Sequence, residues 1–316
     1  MYPKGINSMK KYIVNNSTLT SKKISDEKNI VYISDIHSEV EKIQDIVELI
    51  KKMEISTLLL GGDTIDNTKD NDRNNRIKEL LQEIAKTTKI IIGIGNHDMI
   101  YFDKNSTNRC FAVSETNIPF WQELKETDNI YVSEIPRENA TISKLVVDDE
   151  IDVTSLNLPI NHYWNGEPEE EFEDYIKMIE DLSINTEKFN ILLCHSPKNI
   201  GKDTIIKEYY DILKKFNLIL SGHMHSGLIP RWLRTKPYGK GLVGPYNTIF
   251  PEYAYGTKNF DDTTILTTGG VTKSAQSVGP EVITTNYLFR NLVNLVYPPE
   301  VELIKIEGKE KILQYK

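Results

Sequence analysis

The chain has 316 residues, 39% hydrophobic and 27% charged, a balance that fits a soluble globular protein rather than a disordered or membrane-spanning one. No apolar run approaches the ~20 residues of a spanning helix. Lys and Arg total 38 against 46 Asp and Glu, and the net charge of −8 argues against broad attraction to nucleic acid or anionic lipid while leaving room for a local basic patch.

The first residues carry Lys4, Lys10 and Lys11, followed only by the short Tyr12 to Val14 patch, far less than the roughly 7–15 apolar residues of a secretory signal. Residues 1–28 are expected to be an N-terminal extension or edge strand, and 29–316 a single domain. Cys110 and Cys194 are too few for a disulfide framework and show no CxxC spacing, so they read as buried thiols in a reducing, cytoplasmic protein.

Ile30 to Ser34 and Thr57 to Leu60 are apolar runs bounded by polar or glycine residues, and Val40 to Met53 between them has helical spacing. The unit repeats with Arg73 to Lys86 as helix and Lys89 to Ile94 as strand, which predicts parallel strands joined by right-handed crossovers. Leu145 to Val147 and Ile151 to Leu156 read as strands, Glu169 to Leu182 as an acidic amphipathic helix, and Ile191 to Cys194 and Leu218 to Leu220 as buried strands. From Leu228 to Tyr255 the chain is rich in Gly, Pro and aromatics without periodicity, as in a long shaped loop. Thr263 to Thr268 and Val301 to Ile306 resume as strands, and Gly308 with Lys309 suggests a terminal hairpin into Ile312.

Four segments begin where an apolar strand ends: Ser34-Asp35-Ile36-His37, Gly61-Gly62-Asp63-Thr64-Ile65-Asp66, Gly93-Ile94-Gly95-Asn96-His97-Asp98 and Ser221-Gly222-His223-Met224-His225. Cys194-His195-Ser196 is a shorter fifth. The carboxyl ends of parallel strands form the ligand crevice of an α/β sheet, so these residues point to one place. Five of the six histidines lie in these segments, and His162 alone lies elsewhere. Five unrelated structural histidines would not gather at strand ends beside Asp35, Asp63 and Asn96. Mixed imidazole and carboxylate donors suit Mn²⁺, Fe or Zn²⁺, whereas Ca²⁺ and Mg²⁺ prefer oxygen shells. Glycines before Asp63, Asn96 and His223 allow sharp turns close to bound ions.

Asp35-x-His37, Gly62-Asp63-x-x-Asp66, Gly95-Asn96-His97-Asp98, His195 and Gly222-His223-x-His225 resemble the five-part signature of the calcineurin-like metallophosphoesterases. The resemblance implies a four-layer α-β-β-α sandwich of two mixed sheets flanked by helices, holding two divalent metals, most readily Mn²⁺, roughly 3.5–4 Å apart. It implies that Asp35, His37 and His225 hold the first metal, that Asn96, His195 and His223 hold the second, and that Asp63 bridges them. The two cations would acidify a shared water to give the hydroxide that attacks phosphorus. His97 would donate to the leaving-group oxygen or contact the oxyanion, with Asp66 orienting it. Asp98 is expected to cap a turn by accepting backbone N–H bonds.

Ser/Thr protein phosphatases of this family carry Arg and Glu where this chain has Asn67 and Asp98, so that activity is not expected. The segments Gly222 to Leu228, Thr267 to Gly270 and Tyr297 to Glu300 resemble a bacterial branch that includes UDP-diacylglucosamine hydrolases. That implies hydrolysis of a phosphomonoester or phosphodiester in a phospholipid or nucleotide-type substrate, although the N-terminal anchor of many members is lacking. Residues 228–255 mix apolar and basic side chains and read either as a peripheral membrane contact or as a loop packed on the second sheet. His162 reads as a cleft-lining or a surface residue. No obligate protein partner is implied. A nuclease of the same family, which would need a basic stripe, and a catalytically silent metal-binding scaffold are the alternatives.

Overall fold

The structure is a computed structural model that describes residues 12–53, 55–66, 71–99, 101–102, 109–110, 118–164, 169–197, 200, 203–234, 236–245, 249–272 and 296–308. In chain order, β1 (Ile13–Ser21) and β2 (Lys28–Ile33) lead to α1 (Val40–Lys52), β3 (Thr57–Leu60), α2 (Asn71–Ala85) and β4 (Lys89–Ile92). A ribbon of β5 (Tyr101–Phe102) and β6 (Arg109–Cys110) precedes α3 (Ile118–Lys125), β7 (Ile130–Val132), β8 (Thr141–Val146) and β9 (Ile151–Asn157). Then come α4 (Ile160–Trp164), α5 (Glu169–Glu180), β10 (Phe189–Cys194), α6 (Asp203–Glu208), α7 (Tyr210–Leu213) and β11 (Leu218–Ser221). The last strands are β12 (Tyr238–Gly239), β13 (Tyr255–Phe260), β14 (Thr263–Thr267) and β15 (Glu300–Gly308).

One sheet has the order β1-β15-β2-β3-β4-β7 and the other β12-β13-β14-β11-β10-β9-β8. Both are mixed: β2, β3, β4 and β7 run parallel, as do β14, β11, β10 and β9; β15 is antiparallel to β2 and parallel to the edge strand β1, and the second sheet is finished by antiparallel pairs at both edges. Alternation along each central strand explains the layering. Ile30, Tyr32, Leu59 and Ile91 face the other sheet and meet Val153, Ile191, Leu193 and Leu220. Their neighbours Val31, Ile33, Leu58, Leu60, Ile90 and Ile92 face helices, where α1 presents Ile43, Ile46, Val47 and Ile50 at helical spacing. Strands buried on both faces must be continuously apolar, which is why these segments stand out in the sequence. Each fully buried Leu or Ile contributes roughly 1.5–3 kcal/mol of transfer free energy, so the sandwich interior dominates cohesion.

Several elements differ from expectation. β8 starts at Thr141 rather than Leu145; none of its side chains is fully buried and its first half mixes polar Thr141 and Ser143 with Ile142, so no apolar run marks it. β13 was not expected: Gly256, Thr257, Lys258 and Asn259 carry no apolar alternation, and pairing with β14 makes them a strand. β15 extends to Gly308 alongside β1, and the hairpin into Ile312 lies outside the described residues. Cys194 is buried; the side chain of Cys110 lies outside the description.

Register sets the site. Ile33 pairs with Leu60 and Leu60 with Ile92, so β2, β3 and β4 end level. In the second sheet Leu193 pairs with Leu220 and Ser221 with Thr267. The loops that leave these ends are laced together: Asp35 N donates to Gly62 O at 3.0 Å, His37 N to Asp63 O at 2.9 Å, Gly222 N to His195 O at 3.0 Å and Thr272 N to Asp35 O at 2.8 Å.

Candidate metal centre

The expected donors converge. Asp35, His37 and His225 offer atoms within 4.8 Å of one another, and so do Asp63, His195 and His223. All six are buried, as is Asn96 in the loop after β4. Asp63 lies between the groups, its Oδ2 3.7 Å from His37 Nε2 and 3.2 Å from His195 Nε2. His225 Nε2 stands 3.6 Å and His37 Nε2 4.0 Å from Asp35 Oδ1. A third group, His37, Asp66 and His97, adjoins the first.

The orientation of the imidazoles fits metal ions rather than plain hydrogen bonding. His195 Nδ1 meets Gly61 O at 2.7 Å and His225 Nδ1 meets Thr272 O at 2.8 Å. A carbonyl oxygen only accepts, so both Nδ1 atoms carry hydrogen, and each ring in its neutral form would present the lone pair of Nε2 to the centre. His37 repeats the pattern with Nδ1 2.8 Å from Asp66 Oδ1. The buried Nε2 atoms of His37 and His195 do not reach hydrogen-bonding geometry with the described residues. Buried polar atoms normally find partners, and a cation would supply one here. Donors of one transition-metal ion stand roughly 3 Å apart when each bond is about 2.0–2.2 Å, close to the Asp63–His195 separation.

The backbone is bent to make this arrangement. Asp35, His37, Asp63, His223 and His225 all have positive φ, between 45° and 64°. Non-glycine residues visit this region at a cost, and such outliers gather at functional sites. Gly62, at φ 97°, and Gly95 permit the close approach: a Cβ on Gly95 would collide with Asp63 Oδ1 and with its backbone nitrogen.

Electrostatics follow from crowding three carboxylates and five imidazoles. Burial disfavours the His37 imidazolium, but Asp66, Asp63 and Asp35 outweigh it and raise the pKa to about 10. For His195, burial is likewise overcome by Asp63, with help from Asp35 and the Gly61 carbonyl, to about 9. His223 is pushed well down by burial and by His195. Burial would raise Asp63 and Asp66, yet His195, His97 and His37 hold Asp63 well below the carboxylate range, and His37 and His97 do the same to Asp66. These values describe metal-free side chains; a cation replaces the protons.

Asp98 is a brace rather than a donor to the centre. Its Oδ1 accepts from Thr64 N and Ile65 N at 2.9 and 3.0 Å, and its Oδ2 from Gly95 N at 2.9 Å, tying the loop after β4 to the loop after β3. Burial and Asp63 raise it to about 7. His162 is buried, its ring against Tyr163 and Tyr175, so the surface reading is corrected: α5 covers it. Sequence reading missed Tyr163, whose ring lies 5.1 Å from that of His223. It also missed Thr272, whose carbonyl holds His225 and whose hydroxyl donates to Ile36 O at 2.9 Å. The Thr267 to Gly270 segment signalled the second of these, since it leads directly there: Gly270, at φ 78°, packs on the Asp35 side chain.

Calcineurin-like phosphoesterase is the family whose sequence model matches, over residues 28–227. No curated protein sequence gives a match. Distant similarity extends to a purple acid phosphatase from yellow lupin (Lupinus luteus), at 13% identity over 79% of this chain and 45% of that one, TM-score 0.42. The chain therefore spans less than half the length of the lupin enzyme. A protein of Thermus thermophilus, TT1561, overlaps at 13% identity, 78% and 90% coverage and TM-score 0.42. A dimetal phosphatase from Danio rerio overlaps at 11%, 77% and 87%, and 0.39. The matched segment holds all seven expected donors with Asp66 and His97, and covers more than half of the chain: this protein belongs to the calcineurin-like phosphoesterase family.

Proposed function

We propose that the chain is a dinuclear-metal phosphoesterase acting on a phosphomonoester or phosphodiester of a phospholipid or nucleotide-type substrate, in the manner of the lipid-head-group hydrolases of its family. The observation that carries this reading is Asp63 Oδ2, within 3.7 Å of His37 Nε2 on one side and 3.2 Å of His195 Nε2 on the other. Asp35, His37 and His225 would hold one divalent ion and Asn96, His195 and His223 the other, with Asp63 touching both; Mn²⁺, Fe or Zn²⁺ suits such donors. Two bound cations supply acidification of water and neutralisation of phosphoryl oxygens.

The remaining work falls to the chain itself. His97 is partly exposed while the donor rings around it are buried, so substrate can reach it. Its Nδ1 is fixed 2.8 Å from Asp66 Oδ1, which leaves Nε2 to donate a proton to the departing oxygen. Asp66 thereby sets both the tautomer and the direction of the ring. The backbone N–H of His97 donates to Asp63 Oδ1 at 2.8 Å, which ties the donor's position to the carboxylate between the clusters.

The test is metal-stripped protein reloaded with Mn²⁺ and assayed on p-nitrophenyl phosphate, bis-p-nitrophenyl phosphate, cyclic nucleotides and glycerophospholipids. Two ions per chain with metal-dependent turnover are expected. Saturation at one ion removes the dinuclear reading, and full loading without turnover on any substrate makes the chain a scaffold.

A further inference from the structure

Among the described residues eight large apolar side chains are exposed, and six of them fall between residues 232 and 250: Trp232, Leu233, Leu242, Val243, Ile249 and Phe250. Ile249 is 70% exposed, Trp232 67% and Phe250 61%. Scattered single residues of this kind need no explanation, but such concentration on one segment marks a surface that meets something apolar.

The segment is built to present them. Trp232 and Leu233 sit on a 3₁₀ turn, Arg231–Leu233. The other four lie on two short stretches, where Val243 faces Ile249 across an antiparallel bridge and Phe250 N donates to Leu242 O at 3.1 Å. All four side chains are exposed to solvent. The base of the two stretches is fixed: Leu242 N and Val243 N donate to Gly227 O at 2.7 and 3.1 Å, and Gly241 N to Pro251 O at 2.7 Å. Gly227 and Gly241 touch so closely that a Cβ on either would strike the other. Beneath lie the buried Met224, Ala254 and Tyr255. Gly227 is two residues from His225, so the projections share their foundation with the metal centre.

Charge narrows the occupant. Residues 228–251 contain Arg231, Arg234, Lys236 and Lys240 and no acidic residue, in a chain of net charge −8. Arg234 is taken up by Glu300, and Lys240 pairs with Glu252 at the surface. Arg231 donates to the neutral Asn15 side chain, and neither it nor Lys236 has a carboxylate partner among the described residues. A second copy in a two-fold interface would set these cations against themselves. Nucleic acid has no use for Leu, Ile and Val tips that cannot stack on bases. Aromatic and aliphatic tips ringed by Lys and Arg are the composition of an interfacial anchor on anionic lipid.

We propose that the turn 231–233 and the paired residues 242–243 and 249–250 dock the protein on the surface of an anionic bilayer, with the apolar tips at the head-group boundary and Arg231 and Lys236 toward lipid phosphates. This goes beyond the hydrolytic reading and needs neither metal nor turnover, so each can fail without the other.

The experiment is co-sedimentation of the metal-free full chain with vesicles of phosphatidylcholine alone and of equimolar phosphatidylcholine and phosphatidylglycerol. Binding to the anionic vesicles should exceed binding to the neutral ones by about tenfold at low ionic strength and fall with added salt. The double variant Trp232→Asp with Phe250→Asp should lose about tenfold or more in partition at an unchanged melting temperature, because both side chains are exposed. Brominated lipid should quench Trp232, and Trp232→Phe should keep binding while that quenching disappears. No binding to anionic vesicles at low salt overturns the proposal, and so does binding that the double variant leaves unchanged. A concentration-dependent dimer abolished by the same variant, without vesicle binding, assigns the surface to self-association instead.

Discussion

His37 and His97 share one carboxylate oxygen: Asp66 Oδ1 lies 2.8 Å from Nδ1 of each, and the two rings meet edge to face at 4.5 Å. The expectation from sequence gave Asp66 to His97 alone. In the folded chain the same atom orients a residue of the first donor cluster and the proposed proton donor, so perturbing it reaches both.

Asp66→Asn should therefore weaken metal at the His37 cluster by about 10–100-fold, the usual effect of losing a partner behind a ligand, and slow turnover as well. Metal titration of the variant beside its kcat at saturating metal separates the effects. Unchanged affinity with slowed turnover would restrict the carboxylate to His97.

His97→Asn should keep both metals and lose about 10²–10⁴ in turnover, the span of a general acid. The loss should be largest for alkyl phosphate esters and small for p-nitrophenolate, which departs without a proton. Equal losses for both leaving groups would make His97 an oxyanion contact, and an emptied metal site would remove it from catalysis.

Asp63→Ala should abolish activity and weaken both ions together, since the cations lose the charge between them and the His97 backbone loses its acceptor. His37→Ala should chiefly affect one. Two tightly held ions in the Asp63 variant, measured by elemental analysis after dialysis, would contradict a shared carboxylate.

The metal-free protein should lose stability as pH rises from about 7.5 to 10. His37 and His195, at about 10 and 9 in the folded chain, are raised above their unfolded value, so the fold binds more protons than the unfolded chain. Their contribution is fully present below the unfolded pKa and disappears through the folded one. Metal must displace those protons, so loading near pH 8 should release on the order of two per chain. Melting curves of chelator-treated protein against pH, and calorimetric loading in buffers of different ionisation enthalpy, measure this. A rising melting temperature over that range, or metal uptake without proton release, would refute it.

Glu300→Ala should cost about 3–5 kcal/mol, because it strands Arg234 in a nearly buried ion pair. Glu300 Oε1 also accepts from Ser226, next to His225, so metal affinity should fall with stability. A loss under about 1 kcal/mol in chemical denaturation would show that Arg234 escapes to solvent.

The order of residues was enough to locate the central strands and the donors at their ends. Val31, Leu59, Ile91 and Leu192 belong to runs buried on both faces, and such burial demands an unbroken apolar stretch that local reading detects. Chemistry placed at the end of each run could be read by the same logic, as could the brace at Asp98. Other features arise only on folding, because each depends on residues far apart in the chain. Thr272 reaches His225 and Ile36, separations of 47 and 236 residues, and no local pattern encodes such a meeting. β13 becomes a strand through its partner, since its own side chains lack alternation. Whether residues 228–255 hide or display their apolar side chains was undecidable from composition. The tertiary structure displays Trp232, Leu233, Leu242, Val243, Ile249 and Phe250, with Leu242 N and Val243 N held on the Gly227 carbonyl.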